Sequence, residues 1–133
     1  MFDSSNKRLL LVQAEPLLAD LISFRLELLG YQIEVIGTGD QAVSSIQTEK
    51  PDLVIADSTM ADGDGIEWIN RVRGDYSADE LPVIVISIDP SLETVERAFH
   101  AGAQDYLIVP FDPTVMEEKI VGILTQSVAT NRR

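Results

Sequence analysis

Three polar side chains stand where apolar runs of the sequence end. Asp57 follows one run, Ser87 lies near the end of a second, and Gln13 follows a third. If these runs are parallel strands, their carboxyl ends meet at one edge of a sheet, which is where open α/β sheets bind ligands. There a carboxylate can attract a cation and a hydroxyl can form hydrogen bonds. We therefore predict a functional centre around Asp57.

The elements that would carry these side chains are five short apolar runs separated by helical patterns. The runs are residues 9–12, 33–36, 53–56, 83–88 and 106–109. Apart from Glu34 and Ser87, they are apolar throughout instead of alternating, which is typical of strands covered on both faces. Strict alternation of strands and helices implies right-handed crossovers, and it predicts an α/β fold with a doubly wound parallel sheet.

The first helical pattern predicts a wide apolar stripe that faces the core and leaves Asp20, Ser23 and Glu27 outward. The apolar positions of this stripe are Leu17, Leu18, Leu21, Ile22, Phe24, Leu28 and Leu29.

Two later helices have recognisable starts. Ser91 is a predicted N-cap of the fourth helix, whose apolar face carries Leu92 and Phe99. Asp112 caps the fifth helix and Pro113 occupies its first position, where proline is favoured.

Length and composition predict a single domain over residues 1–133, with an N-terminal tail at 1–6 and a C-terminal tail or linker stub at 129–133. The chain has no cysteine, and no apolar run is long enough to span a membrane, so we expect a cytoplasmic protein. The formal net charge of −12 disfavours direct contact with the phosphate backbone of a nucleic acid.

Three segments of the chain, read together, resemble a response-regulator receiver domain. They are residues 51–57 with the following Asp64 and Gly65, residues 82–87, and residues 101–111. The resemblance extends from Lys7 to about Leu124, and the order and spacing of the segments agree with the family pattern. It implies a five-stranded sheet of flavodoxin-like order 2-1-3-4-5 with helices on both faces.

The resemblance also implies a role in a two-component phosphorelay. In the family, an aspartate after the third strand takes a phosphoryl group from a partner histidine kinase, and Asp57 matches that phosphoacceptor. Ser87 matches the hydroxyl that bonds the phosphoryl group, and Tyr106 matches the aromatic residue whose position follows that hydroxyl. The implied partners are a histidine kinase or other signalling protein and an effector protein or fused output domain. Beyond self-catalysed aspartyl phosphorylation, no enzyme activity is implied.

Three pocket positions depart from the family pattern. Gln13 and Ala14 stand where the family has two metal-binding acids, and Val109 replaces a lysine that pairs with the phosphoryl group. Asp57 and the Thr59 carbonyl alone would make a weak magnesium site, to which Gln13 could add an amide oxygen. We therefore expect weak or no Mg²⁺ binding, and a protein-interaction module with atypical or phosphorylation-independent signalling.

Other interpretations stay open at this stage. The chain could be a conventional phosphoacceptor, phosphorylated on Asp57 with a weakened Mg²⁺ dependence. Alternatively, Asp57 could be a loop carboxylate with local hydrogen bonds, Ser87 could complete a strand end, and Tyr106 could keep its hydroxyl in water. A flavin or nucleotide binder is disfavoured, because residues 13–16 do not form a glycine-rich or hydroxyl-rich phosphate loop.

A mixed-charge surface is predicted on the fourth helix, fifth strand and fifth helix. Its candidate interface residues are Arg97, Asp105, Glu118 and Lys119. In receivers this surface commonly mediates contacts, so we predict a homodimer through it, with opposite charges pairing across a two-fold axis.

Overall fold

The fold is described for residues 2–131 from a computed structural model. Five strands form the main sheet: β1 Arg8–Val12, β2 Gln32–Ile36, β3 Leu53–Asp57, β6 Val83–Ser87 and β7 Asp105–Ile108. Two short strands, β4 Thr59–Met60 and β5 Gly63–Asp64, form a separate antiparallel hairpin. The helices are α1 Pro16–Leu28, α2 Gly39–Thr48, α3 Gly65–Arg73, α4 Leu92–Ala101 and α5 Pro113–Asn131.

The main sheet is parallel and has the order β2-β1-β3-β6-β7. Since β6 and β7 are the fourth and fifth strands of this sheet in chain order, the predicted order 2-1-3-4-5 is confirmed. The order reverses between β1 and β3, so the loops after these two strands lie at the switch point where such sheets bind ligands. Gln13 and Asp57 stand there.

Two apolar cores cover the faces of the sheet. Alternate residues of β1 separate them: Leu10 packs with α2, α3 and α4, whereas Leu11 packs with α1 and α5. The central strands β1, β3 and β6 are buried on both faces, which explains why their sequences are continuously apolar.

Side-chain caps fix the starts of several helices. Ser91 accepts a hydrogen bond from the Thr94 amide at the start of α4, and Asp112 accepts one from the Thr114 amide at the start of α5, as predicted. Glu15 caps α1 by accepting from the first free amides of that helix. These caps are local in sequence, which is why the pattern reveals them.

The prediction of an inward stripe on α1 is wrong for five of its seven residues. Leu17, Leu21, Phe24, Leu28 and Leu29 are exposed, whereas the helix buries Ala19, Ile22 and Leu26, of which only Ile22 belonged to the predicted stripe. Both faces of α1 are apolar, but a helix lying on a sheet covers only one of them. The covered face is the one that carries the small Ala19, which allows a close approach to the sheet.

The predicted apolar face of α4 is also turned outward in part. Leu92 and Phe99 are exposed, whereas Ala98 and Ala101 are buried against the sheet. In both helices the buried face includes alanine, but in α4 the buried residues are all alanine.

The two ends of the chain differ in detail from the sequence-based prediction. Residues Ser4–Asn6, predicted as tail, form a 3₁₀ turn capped by Asp3. Of the predicted C-terminal tail 129–133, residues 129–131 continue α5, and residues 132 and 133 lie outside the described part of the chain. Across residues 2–131, every helix falls short of the length and apolar character that a bilayer crossing requires.

Candidate functional site

Asp57 closes β3, and both of its carboxylate oxygens accept hydrogen bonds from neutral donors. Oδ2 accepts from the side-chain Nε2 of Gln13 at 2.7 Å. Oδ1 accepts from the backbone amide of Thr59 at 2.9 Å. Among the ion pairs of residues 2–131, none includes Asp57. The negative charge is therefore held by dipoles and not by a cation.

Gln13 is buried, and two partners of opposite kind fix the direction of its amide group. Its Oε1 accepts a hydrogen bond from the backbone amide of Glu15 at 3.0 Å, while its Nε2 donates to Asp57. Exchanging the oxygen and the nitrogen would place two donors against each other at Glu15 and two acceptors at Asp57. Gln13 thus directs its NH₂ group at Asp57, and not the amide oxygen expected from the sequence as a metal ligand.

A close backbone approach fixes the position of Asp57 relative to α3. The Gly65 amide donates to the Ser58 carbonyl at 2.8 Å. A Cβ at position 65 would collide with the Asp57 carbonyl oxygen, so a side chain there would push β3 and α3 apart. Position 65 therefore requires glycine for steric reasons.

Two serine hydroxyls lie beside Asp57. Ser58 Oγ donates to Ser87 Oγ at 2.7 Å, and the Asp89 amide donates to the same Ser87 oxygen at 3.0 Å. Ser87 is buried and closes β6, as the sequence predicts. Ser58 was not identified from the sequence, although its signal is plain: it directly follows Asp57 at a strand end.

Tyr106 is linked to Ser87 through the backbone of Asp89. Its hydroxyl donates to the Asp89 carbonyl at 2.6 Å, and its ring packs partly against the core on the α2, α3 and α4 face. The hydroxyl thus has a protein partner, which the alternative of a hydroxyl in water did not include. The Asp89 amide donates a hydrogen bond to Ser87, and the Asp89 carbonyl accepts one from Tyr106. A movement of either side chain would therefore displace Asp89 and change the hydrogen bond to the other.

Two positions where the resemblance leads us to expect charged side chains, Val109 and Ala14, are neutral. Val109 follows β7, and its amide donates to the Ser87 carbonyl at 2.8 Å, which places it beside the end of β6. Ala14 is exposed next to Gln13. Neither can supply a charge to Asp57.

The donor set of this pocket does not match the requirements of magnesium. Mg²⁺ needs near-octahedral oxygen ligation and commonly uses one or two carboxylates with water and phosphate oxygens. Here the Asp57 carboxylate already accepts two N–H hydrogen bonds. The Gln13 amide directs its hydrogen atoms, and not its oxygen, into the pocket. Within the described residues, no three His, Cys, Asp or Glu side chains come together as a metal-binding group.

The predicted interface residues pair within one chain. Lys119 Nζ contacts Asp105 Oδ2 at 2.7 Å, and Arg97 contacts Asp64 at 3.0 Å. Glu118 is exposed. Since three of the four candidates have partners in the same molecule, pairing across a two-fold axis would require these contacts to be exchanged. A homodimer through this surface stays a prediction.

Comparison with known proteins agrees with this fold. The family model of the response regulator receiver domain matches residues 9–121. The chain therefore belongs to the response regulator receiver domain family, as the resemblance indicated. Receiver domains of this kind function in two-component signalling and are generally not enzymes.

Individual relatives support the same assignment. The alkaline phosphatase synthesis transcriptional regulatory protein PhoP of Bacillus subtilis is 29% identical over 122 residues, which cover 92% of this chain and 50% of that protein. The DNA-binding dual master transcriptional regulator RpaA of Synechocystis is 28% identical over 120 residues, covering 90% and 50%. The chain thus spans about half the length of these curated relatives.

A solved structure shows the same fold. The CheY-like response regulator receiver domain protein from Methanospirillum hungatei superposes with a TM-score of 0.86 at 26% identity, covering 93% of this chain and 98% of its own.

Proposed function

We propose that this receiver domain signals as a protein-interaction module without the standard phosphorylation cycle. The observation that carries the proposal is the pairing of Asp57: both oxygens are engaged by neutral N–H donors, one from Gln13 and one from the Thr59 backbone. A resting carboxylate stabilised in this way needs neither a metal nor a lysine to offset its charge. The domain can therefore keep a fixed conformation of this loop.

The neutral pocket argues against efficient phosphoryl transfer. A phosphoryl group brings additional negative charge to Asp57, and Gln13, Ala14 and Val109 offer no positive charge or metal site to stabilise it. A Lewis-acid metal contributes several kcal/mol of transition-state stabilisation, and about 1.4 kcal/mol corresponds to a factor of ten in rate. We expect transfer to Asp57 to be slower by orders of magnitude than in a receiver with both acids and lysine.

Partners of this module are proposed by analogy with its relatives. PhoP and RpaA are named as transcriptional regulators, and this chain matches about half of each. We propose a histidine kinase or another signalling protein upstream and an effector or output domain downstream, in the cytoplasm. The net charge of −12 makes it unfavourable for the receiver domain itself to contact nucleic acid.

Intact-mass spectrometry after incubation with acetyl phosphate and Mg²⁺ tests the proposal. We expect the wild type to gain no phosphoryl mass, like the Asp57→Asn variant. The matched positive control is the triple variant Gln13→Asp, Ala14→Asp, Val109→Lys, which introduces the charged residues of the family pattern and should gain one phosphoryl group. Rapid phosphorylation of the wild type but not of Asp57→Asn would refute the proposal.

A spectroscopic readout complements the mass measurement. Beryllofluoride with Mg²⁺ should leave the backbone NMR signals of Asp57, Ser87 and Tyr106 unchanged in the wild type and shift them in the triple variant. Shifts of the wild-type signals at ordinary concentrations would contradict an inactive pocket even if the phosphorylated form were too short-lived to detect by mass.

A second candidate function is a conventional phosphoacceptor with weakened Mg²⁺ dependence. The hydroxyl arrangement favours it, because Ser58, Ser87 and Tyr106 form a connected set of hydrogen bonds beside Asp57. In that case a cognate kinase would phosphorylate Asp57 where acetyl phosphate does not. Transfer from a phosphorylated kinase to the wild type, absent in Asp57→Asn, would identify this function.

A further inference from the structure

The outward face of α1 is an apolar stripe without a partner in the chain. Leu17, Leu21, Phe24 and Leu28 are 61 to 70% exposed, although they are among the largest apolar side chains of the helix. Single exposed apolar residues are common on protein surfaces, but a contiguous row of them marks an interaction site.

Helical geometry places these four residues on one narrow strip. At 3.6 residues per turn their directions fall within an arc of about 60°. The buried residues Ala19, Ile22 and Leu26 project from the opposite side. The stripe therefore belongs to a second apolar face, and a helix that is apolar on two faces is normally covered on both.

The spacing of the stripe is that of a coiled-coil seam. The four residues are separated by four, three and four positions, which is the alternation of d, a, d and a sites over two heptads. We propose that this face packs against the same face of a second copy of this chain, with the two α1 helices parallel around a two-fold axis.

The charges beside the stripe complement those of a second copy in the parallel arrangement. Asp20 and Glu27 occupy g positions on one flank, and Arg25 occupies an e position on the other. In a parallel pair a g residue faces the e residue five positions further along the partner, so Asp20 meets Arg25 of the second copy on both sides of the axis. In an antiparallel pair g faces g, and Asp20 would meet Glu27, which is repulsive.

Arg25 can take part in this contact while keeping its partner in the same chain. Its Nε contacts Glu117 of α5 at 2.5 Å, and its side chain remains 46% exposed. Holding the guanidinium through Nε leaves the terminal nitrogens for a second carboxylate. The contact with Glu117 thus fixes the direction of Arg25 beside the stripe.

The size of the stripe predicts a reversible dimer. Thirteen residues of α1 supply only two heptads, so the contact lies near the low end of specific interfaces, which bury roughly 1,200 to 2,000 Å² in total. We therefore expect a monomer–dimer equilibrium that depends on concentration across the micromolar range.

Sedimentation velocity of the wild type and of single variants over this range tests the contact. Leu21→Glu places a charge in the centre of the stripe, on a side chain that is exposed, and should abolish the dimer without unfolding the chain. Leu92→Glu is the matched control, because Leu92 is equally exposed on α4. It should leave the dimer unchanged. A dimer lost in Leu92→Glu and kept in Leu21→Glu would place the interface on α4 and overturn the proposal.

The orientation is tested by cysteine cross-linking, which is unambiguous because the chain contains no cysteine. In the parallel pair each a position faces itself, so Leu28→Cys should form a disulfide-linked dimer under mild oxidation. In an antiparallel pair the two Cys side chains would be about 16 Å apart along the axis and could not bond. Leu92→Cys serves as the control for random collisions and should stay unlinked.

The proposed charge contact gives an independent test. Asp20→Lys brings two cations together in the parallel pair and should weaken the dimer several-fold, whereas in an antiparallel pair it would face Glu27 and strengthen it. Strengthening would overturn the parallel arrangement. A wild-type chain that stays monomeric throughout the concentration range, with no cross-linking at position 28, would overturn the proposal that a second copy covers the stripe. The partner of the stripe would then be a helix of another protein.

Discussion

The two edges of the main sheet hold opposite charges, and both charges are paired with neutral dipoles. At the carboxyl edge, Asp57 accepts two hydrogen bonds from N–H donors of Gln13 and Thr59. At the amino edge, the guanidinium of Arg73 donates to four backbone carbonyls and to the side-chain oxygen of Gln104. Neither residue forms an ion pair among the described residues.

The difference between the two lies in what supplies the dipoles. Arg73 joins the end of α3 to the loop before β6 and to Gly102, with its shortest contacts to the Leu81 carbonyl at 2.8 Å and the Gly102 carbonyl at 2.7 Å. Burial lowers the pKa of its guanidinium from the usual value. Four of its five partners are backbone carbonyls, so substituting the side chains around Arg73 changes its site little. The Asp57 site depends on one side chain, Gln13, so a single substitution can change its chemistry.

The largest expected effect comes from replacing the neutral residues of the Asp57 pocket with charged ones. In the triple variant Gln13→Asp, Ala14→Asp, Val109→Lys, Mg²⁺ should raise the melting temperature, because an ion that binds only the folded state stabilises it. The rate of phosphorylation by acetyl phosphate should rise by roughly three orders of magnitude over the wild type. Differential scanning fluorimetry and intact-mass kinetics measure the two effects. A wild-type melting temperature that responds to Mg²⁺ as strongly as that of the variant would show that neutral dipoles do not exclude the ion.

At the amino edge, Arg73→Ala should destabilise the fold by about 3 kcal/mol, since it removes hydrogen bonds from a charged donor and leaves carbonyls unpaired. Urea unfolding measures this loss. Arg71→Ala is the matched control: Arg71 pairs with Asp40 on the surface, at 2.7 Å and with both side chains more than half exposed. Its removal should cost at most about 0.5 kcal/mol. Equal losses in the two variants would mean that the carbonyl partners of Arg73 contribute little.

Much of the fold follows from local features of the sequence. The central strands β1, β3 and β6 are continuous apolar runs because both faces of the sheet are covered there. The caps Ser91 and Asp112 act within three residues of their own position. The face that α1 buries is not local. Two apolar stripes compete, and only contact with the sheet selects Ile22 and Leu26 over Leu21 and Phe24. The β4–β5 hairpin also escapes prediction, because two-residue strands have no periodicity.

The site could be predicted in position but not in detail. Asp57 and Ser87 close β3 and β6, and parallel strands bring such ends together. Tyr106 is the second residue of β7, and only the family resemblance indicated it. The direction of the Gln13 amide could not be foreseen, because it depends on the amide of Glu15 in the folded loop. The position of Ser58 directly after Asp57 could be noticed in the sequence, but its hydrogen bond with Ser87 depends on the pairing of β3 with β6.

Removing the side chain of Gln13, which donates to Asp57, should have a moderate effect on stability. Gln13→Ala leaves one oxygen of Asp57 and the Glu15 amide without their partner, and we expect a loss of about 1 to 2 kcal/mol in urea unfolding. Gln41→Ala is the control, because Gln41 is exposed on α2. Its change should lie within about 0.5 kcal/mol. If Gln13→Ala were no less stable than Gln41→Ala, water would be replacing Gln13 in the pocket. The Asp57 and Arg73 sites would then differ in how easily water reaches them.

The smallest effect is expected at Asp62, where backbone dipoles pair with an exposed carboxylate. The amides of Gly39 and Asp40, at the start of α2, donate to Asp62 at 2.7 and 3.1 Å, and these bonds hold the pKa of Asp62 below its usual value. A carboxyl group whose pKa is lowered by folding stabilises the protein fully above its unfolded pKa, and that contribution disappears as the pH falls through the folded pKa. Asp62→Asn should therefore be slightly less stable than the wild type at neutral pH, and the two should converge in acid. Urea unfolding over a pH series measures this convergence, and a difference that stays constant with pH would show that the Asp62 charge does not contribute.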